Sequence, residues 1–158
     1  MTEKEQQALK TIKKYMWGAV AAAALIPVLL VDMLAVSAVQ LKMVAAISKI
    51  YGVPFEANRG KAVIGSLAGS LVPSGVAEVA IIIWKTTPLI NLLGGAAMAV
   101  ISGAATWALG KVFIQHFESG GTFLDLNPDK VREYFKAQFE EGRKMAATIT
   151  IEGKAQPI

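Results

Sequence analysis

The sequence predicts an all-α fold: five or six helices in helical hairpins, with long apolar, Gly/Ala-rich helices and a membrane association. Three observations carry this expectation. Hydrophobic residues make up 54% of the chain and charged residues 18%, against about 45–50% and about 25% in ordinary soluble domains. The charges crowd into residues 2–14, 42–61 and 111–154, leaving long uncharged runs between them. Those runs are broken by Gly/Pro punctuation into lengths that suit helices. At 158 residues the chain has the length of one domain.

Taken in order, residues 2–14 read as a basic helix start. Thr2 followed by Glu5 matches a capping box, in which hydroxyl and carboxylate satisfy exposed backbone N–H groups. Lys10, Lys13 and Lys14 then lead into Tyr15–Val31, which holds no charged residue. Tyr15 and Trp17 sit where interfacial aromatics anchor a membrane helix, and Pro27 should kink or split the run. A secretory signal peptide is the competing reading; the long charged prelude and the continuing apolar pattern argue against cleavage. Val28–Tyr51 stays helical but amphipathic, carrying Asp32, Gln40, Lys42 and Lys49, and breaks at Gly52–Val53–Pro54.

A third helix is expected from about Ala57 to Leu71, before Val72–Pro73–Ser74–Gly75. It carries Gly65 and Gly69, a G-x-x-x-G pair that lets two backbones approach closely or simply packs as small residues in a core. Val76–Trp84 has Glu78 as its one charge, and Thr86–Gly110 then has none between Lys85 and Lys111. That run exceeds the roughly 20 apolar residues a bilayer core requires, and is the main membrane signal. Gly95, Ala99 and Gly103 repeat every four residues within it and form a smooth stripe for helix contact. A buried soluble helix is the alternative.

Val112–Phe117 runs into Glu118–Ser119–Gly120–Gly121, a helix stop and turn. Asn127–Pro128 signals the start of a last helix, with Val131, Tyr134, Phe135 and Phe139 on one face. It is expected to end near Gly142–Lys144. The division anticipated is 1–14 basic helix start, 15–122 apolar helical core, 123–146 amphipathic C-terminal helix and 147–158 tail.

Net charge is +4 and the isoelectric point 9.4, but the basic residues flank apolar stretches rather than interleave with aromatics. That placement suits anionic headgroups and membrane lipid, and argues against a nucleic-acid partner. With no cysteine, disulfides, thiolate zinc sites and cysteine nucleophiles are excluded. The single histidine, His116, has no second histidine to share a metal and reads as structural. Gly60–Lys61 is followed by Ala62, and position 55 is Phe, so the phosphate-loop pattern fails twice. No catalytic residue, metal ligand or cofactor is expected.

Asp32 stands out within its apolar surroundings, with Gln40 two turns later. An ionised group in low dielectric is costly unless paired or wet, so the two suggest a polar seam at an inter-helix contact or a water-lined path. The plainer alternative is that Asp32 caps a helix after the Pro27 kink and faces solvent.

Ile26–Pro27–Val28–Leu29–Leu30–Val31–Asp32, Gln40–Leu41–Lys42–Met43 and Ile50–Tyr51–Gly52–Val53–Pro54–Phe55 together resemble a bacterial family. So do Ala108–Leu109–Gly110–Lys111 and His116–Phe117–Glu118–Ser119–Gly120–Gly121. The family is domain of unknown function 697, the YcjF-like domain often found behind an Era-like GTPase domain, and the likeness covers roughly residues 18–122. It implies a helical, membrane-associated domain working beside a small GTPase, with no catalytic residues to carry over. Asp32, Gln40 and the Tyr51–Gly52–Val53 turn match the family pattern. The chain lacks the GTPase domain, so regulation by GTP would need a separate partner.

The expected function is a non-enzymatic, membrane-associated scaffold or adaptor that self-associates as a homo-oligomer and works with a separate GTPase. Asp32, Gln40, Gly65, Gly69, Gly95, Ala99 and Gly103 are its candidate packing and interaction residues. An oligomeric pore or a soluble helical bundle that oligomerises are the alternatives. The resemblance implies a bacterial inner (cytoplasmic) membrane location; Lys10, Lys13 and Lys14, with Lys130, Arg132, Lys136, Arg143 and Lys144, predict both termini cytoplasmic and two spans or a re-entrant dip.

Overall fold

Several helix ends lie where local chemistry directs. The Glu5 N–H donates to Thr2 Oγ1 at 3.1 Å, capping α1, Glu3–Leu25. Helix α2, Leu29–Tyr51, stops at Gly52 in the left-handed region (φ 68°), where Gly52 N–H donates to Lys49 O and Val53 N–H to Ser48 O. This pair of bonds is a Schellman ending, a conformation that glycine adopts without Cβ strain. Helix α3 spans Ala57–Gly69. Helix α4, Pro88–Glu118, repeats the Schellman ending: Gly120 (φ 84°) donates to Phe117 O and Gly121 to His116 O. Helix α5, Pro128–Ala155, opens with Asn127 Oδ1 accepting the Asp129 N–H at 2.9 Å. The computed structural model describes residues 1–25, 29–70 and 88–155, with side chains described over 1–21, 37–70 and 100–148.

The fold is all-α, with five helices and no strand among the described residues. Helix α4 is its axis and touches the other four. A Cβ built on Gly110 would meet Ile12 at 2.5 Å, and one on Gly103 would meet Val20 at 2.7 Å. Rising numbers on α1 therefore run against falling numbers on α4, which makes the pair antiparallel. Gly103 likewise lies against Ala146, and Gly142 against Ala104 and Trp107, so α4 and α5 form an antiparallel hairpin. Gly18 against Val39 sets the second hairpin, α1 with α2. The core between them holds Ile12, Met16, Met43, Ile47, Leu109, Phe113 and Phe135, all fully buried.

Residues 1–14 form the expected basic helix start, and they share the core: α1 is continuous through residue 15, and Ala8 and Ile12 are fully buried in the main cluster. Two expectations are corrected. The C-terminal helix does not stop at Gly142–Lys144 but runs to Ala155, taking in the alternating Thr148–Ile151 stretch and most of the anticipated tail. The reason is that Gly142 is a contact residue, not a stop: its missing side chain lets α5 lie on the α4 backbone. The expected span Thr86–Gly110 is the second. Ser102–Gly110 is buried throughout by protein, and Lys111 holds its ammonium 5.8 Å from the centre of the Trp107 ring rather than marking a membrane edge. Among the described residues no helix is long and apolar enough to cross a membrane.

Candidate functional site

The structure concentrates its polar chemistry in two places. The first is inside the bundle, between α2 and α4. Gln40, 4% exposed, donates its amide to Thr106 Oγ1 at 3.3 Å, and the fully buried Thr106 donates to Ser102 O at 2.7 Å. Parallel packing of α2 and α4 sets these groups at one level. A buried amide left without this acceptor would cost about 1–3 kcal/mol, so the pair fixes the register of α2 on α4.

The second lies at the end of the bundle where α2 and α4 finish. The two Schellman turns bring Tyr51 beside Glu118, and the Tyr51 hydroxyl donates to Glu118 Oε1 at 2.7 Å. Thr2, at the start of α1, donates to the same oxygen at 3.1 Å. One carboxylate thus ties three helix ends. Burial first, then the Glu118 carboxylate, holds the Tyr51 hydroxyl above its ordinary pKa of 10.0. Behind this tie Phe117 stacks tilted on Tyr51 (6.0 Å) and on Phe123 (5.4 Å), and Phe55 meets Phe123 edge-on at 5.6 Å. Thr2, Glu3, Lys4, Tyr51, Phe117 and Glu118 line an open cavity of about 500 Å³ here.

His116 secures the loop that leads from α4 to α5. Its Nε2 lies 2.8 Å from Thr122 O and 2.9 Å from Asp125 Oδ1. Both are acceptors, so Nε2 carries the proton and donates to the two of them. Asp125 also accepts the Thr122 N–H at 2.7 Å, and that bond first, then His116, lowers its pKa. A Cβ on Gly121 would fall on the His116 ring, so the second glycine of the turn makes room for the imidazole. Among the described residues no group of three or more His, Cys, Asp or Glu side chains is placed to hold a metal.

Of the residues singled out in the sequence, Gln40 makes the α2–α4 pair and Gly103 is wedged among Met16, Val20 and Ala146 of its own chain. Gly65 and Gly69 are exposed on α3, and among the described residues nothing lies within 4 Å of a Cβ built on either. The structure does not bring them to Gly103. The side chain of Asp32 and positions Gly95 and Ala99 lie outside the described side chains, as Pro27 and Glu78 lie outside the described residues. Sequence reasoning missed Thr106, Glu118 and the Thr122–Asp125 loop. The available signal was the pairing of two Gly-ended helices with a Tyr before one glycine and a Glu before the other.

The turn at Tyr51–Phe55 and the turn at His116–Gly121, far apart in sequence, therefore meet as one structural unit. The family model for Domain of unknown function (DUF697) matches residues 1–144. The chain belongs to this family. A DUF697 relative among curated proteins is "Magnetosome membrane protein 22" of Magnetospirillum gryphiswaldense (strain DSM 6361 / JCM 21280 / NBRC 15271 / MSR-1). It is 41% identical over 149 residues, which is 93% of this chain and 76% of the relative. No solved structure matches the chain. The match from residue 1 agrees with the packing: the DUF697 unit includes the lysine-bearing first half of α1, whose Ala8 and Ile12 are core.

Proposed function

We propose that this DUF697 protein is a non-enzymatic, membrane-associated helical scaffold of the bacterial inner membrane that self-associates and works with a separate GTPase. The observation that carries the membrane reading is the likeness to a protein named for a membrane, extending over 93% of this chain. The low charged fraction, 18%, supports it. The non-catalytic reading rests on how the reactive side chains are used. His116 spends its Nε2 proton on a loop carbonyl and a carboxylate, and the Thr106 hydroxyl is bonded back to its own helix. At the open cavity the Thr2 and Tyr51 hydroxyls are both bonded to Glu118 and so join helix ends. The GTPase partner rests on the family resemblance, and self-association on the small-residue stripes of the sequence.

Cross-linking in native membranes, followed by sizing in detergent with GDP or a non-hydrolysable GTP analogue present, tests the scaffold. The expected result is a homo-oligomeric band and a second, nucleotide-dependent adduct carrying a GTPase. A chain that stays monomeric and captures no GTPase in either nucleotide state contradicts it.

A further inference from the structure

Basic residues on α5 and on the α1–α2 hairpin differ in their surroundings. On α5, Arg132 pairs with Asp129 at 2.8 Å, Arg143 with Glu140 at 3.4 Å and Lys136 with Glu133 at 4.0 Å. These three charges are neutralised locally, while Lys130 and Lys144 are exposed and in no ion pair among the described residues. On the α1–α2 hairpin, Lys10, Lys13, Lys14, Lys42 and Lys49 are all exposed, and none is in an ion pair among the described residues. Between Gln6 and Tyr51 the sequence has one acidic residue, Asp32.

Helix geometry gathers these lysines. Lys10, Lys13, Lys14, Trp17 and Ala21 recur at three- and four-residue steps, on the side of α1 opposite the buried Ile12, Met16 and Val20. The register set by Gly18 on Val39 brings Lys14 level with Lys42 and Lys10 within about one helical turn of Lys49. Lys42 and Lys49 lie on the outer side of α2 next to α1, because α3 covers the other side through Leu41 against Gly60. Above this group of five cations stands Trp17, 47% exposed, and beyond it both helices continue as uncharged sequence except at Asp32. Cations, then an amphipathic ring, then apolar chain is the order of layers across a lipid headgroup region.

We propose that the α1–α2 face docks on an anionic bilayer surface, with Lys10, Lys13, Lys14, Lys42 and Lys49 on lipid phosphates and Trp17 at the interface. This rests on the membrane reading above and names its surface and its lipid class. Charge complementarity selects the occupant. The face offers one indole and five cations that are unpaired among the described residues, whereas a nucleic-acid groove would interleave aromatics among them.

The test is co-sedimentation of the full chain with phosphatidylcholine vesicles, with and without phosphatidylglycerol, at low and high salt. A lysine near an anionic surface contributes about 1 kcal/mol, about fivefold in partitioning. Lys10→Gln/Lys13→Gln/Lys14→Gln should therefore lower binding to anionic vesicles about a hundredfold, and Lys42→Gln/Lys49→Gln about twentyfold. The α5 control Lys130→Gln/Lys136→Gln/Lys144→Gln should change it little. Trp17 emission, taken as the difference from Trp17→Phe, should shift to the blue on anionic vesicles. Equal binding to both vesicle types, insensitive to salt and to the α1 and α2 variants, overturns the proposal while leaving the membrane reading intact. Loss of binding equally in the α5 control also overturns it. A wild-type chain that sediments with neither vesicle, or that binds nucleic acid through these lysines instead, overturns both.

Discussion

Gly142 sits in the middle of α5, where helix propensity favours alanine by about 1 kcal/mol. Local reasoning alone therefore expects Gly142→Ala to stabilise the protein. The packing predicts the reverse. The added Cβ would lie 2.9 Å from Ala104 Cα, 2.9 Å from Ala104 O and 3.0 Å from Trp107 Cβ. Two of these are backbone atoms of α4 and the third is fixed to it, so no rotamer change makes room and the helices must separate. Overpacking of this kind costs about 1–3 kcal/mol, and contact with backbone belongs in the upper half of that range. After the propensity gain, the net loss is about 1–2 kcal/mol, which lowers Tm by roughly 2–8 °C for a chain of this size. Gly65→Ala is the matched control: it is helical and exposed, its Cβ would meet nothing within 4 Å, and it should gain about 0.5–1 kcal/mol. Thermal unfolding followed by circular dichroism compares the two. If Gly142→Ala is as stable as the parent, α5 does not lie on α4 at this separation. A destabilised Gly65→Ala would mean that the outer face of α3 is covered.

Thr106→Val strands the buried Gln40 amide and should cost about 1–3 kcal/mol in denaturant unfolding, whereas Gln40→Leu/Thr106→Val removes both polar partners and should recover most of the loss. Tyr51 has its pKa raised by burial and by Glu118, so the folded state retains the proton longer than the unfolded state. Its contribution is fully present below pH about 10 and is lost as pH rises through the folded value. Tyr51→Phe should therefore flatten the alkaline fall in stability and remove the last tyrosine step from an ultraviolet titration. The depressed Asp125 pKa works in the opposite sense: its contribution is present above the usual carboxylate range and is lost as pH falls through the folded value. Nuclear magnetic resonance should then see the His116 ring shift as Asp125 protonates, and Asp125→Asn should abolish that step.

How much of this was legible depended on whether the information was local. Helix ends were readable because single residues direct them: Thr2, Gly52, Gly120 and Asn127 each act on backbone within a few positions. The apolar face of α5 was readable for the same reason, and Phe135 is fully buried on it with Val131, Tyr134 and Phe139 packed against the core. Gly142 was misread because an isolated glycine in a helical pattern has two meanings, stop and close contact, and which applies depends on a helix over thirty residues away in sequence. The same limit applied to Thr86–Gly110. Hydropathy reports that a segment avoids water, not whether lipid or protein replaces it, and from Ser102 onward the answer is α1, α2 and α5. Among the candidate residues Gln40 was visible as a polar residue in an apolar run, but its partner Thr106 was hidden among ordinary small residues. Glu118 looked like a helix-end residue, and only the fold places Tyr51 and Thr2 on it.

Fractionation of the expressed chain, with a carbonate wash of the membrane pellet, tests the membrane-associated scaffold most directly. The account predicts that the protein sediments with membranes at low salt, and that Lys10→Gln/Lys13→Gln/Lys14→Gln releases a larger share into the wash than the α5 control does. Recovery of the wild-type chain wholly in the unwashed supernatant would contradict it and leave a helical bundle whose apolar helices serve only each other.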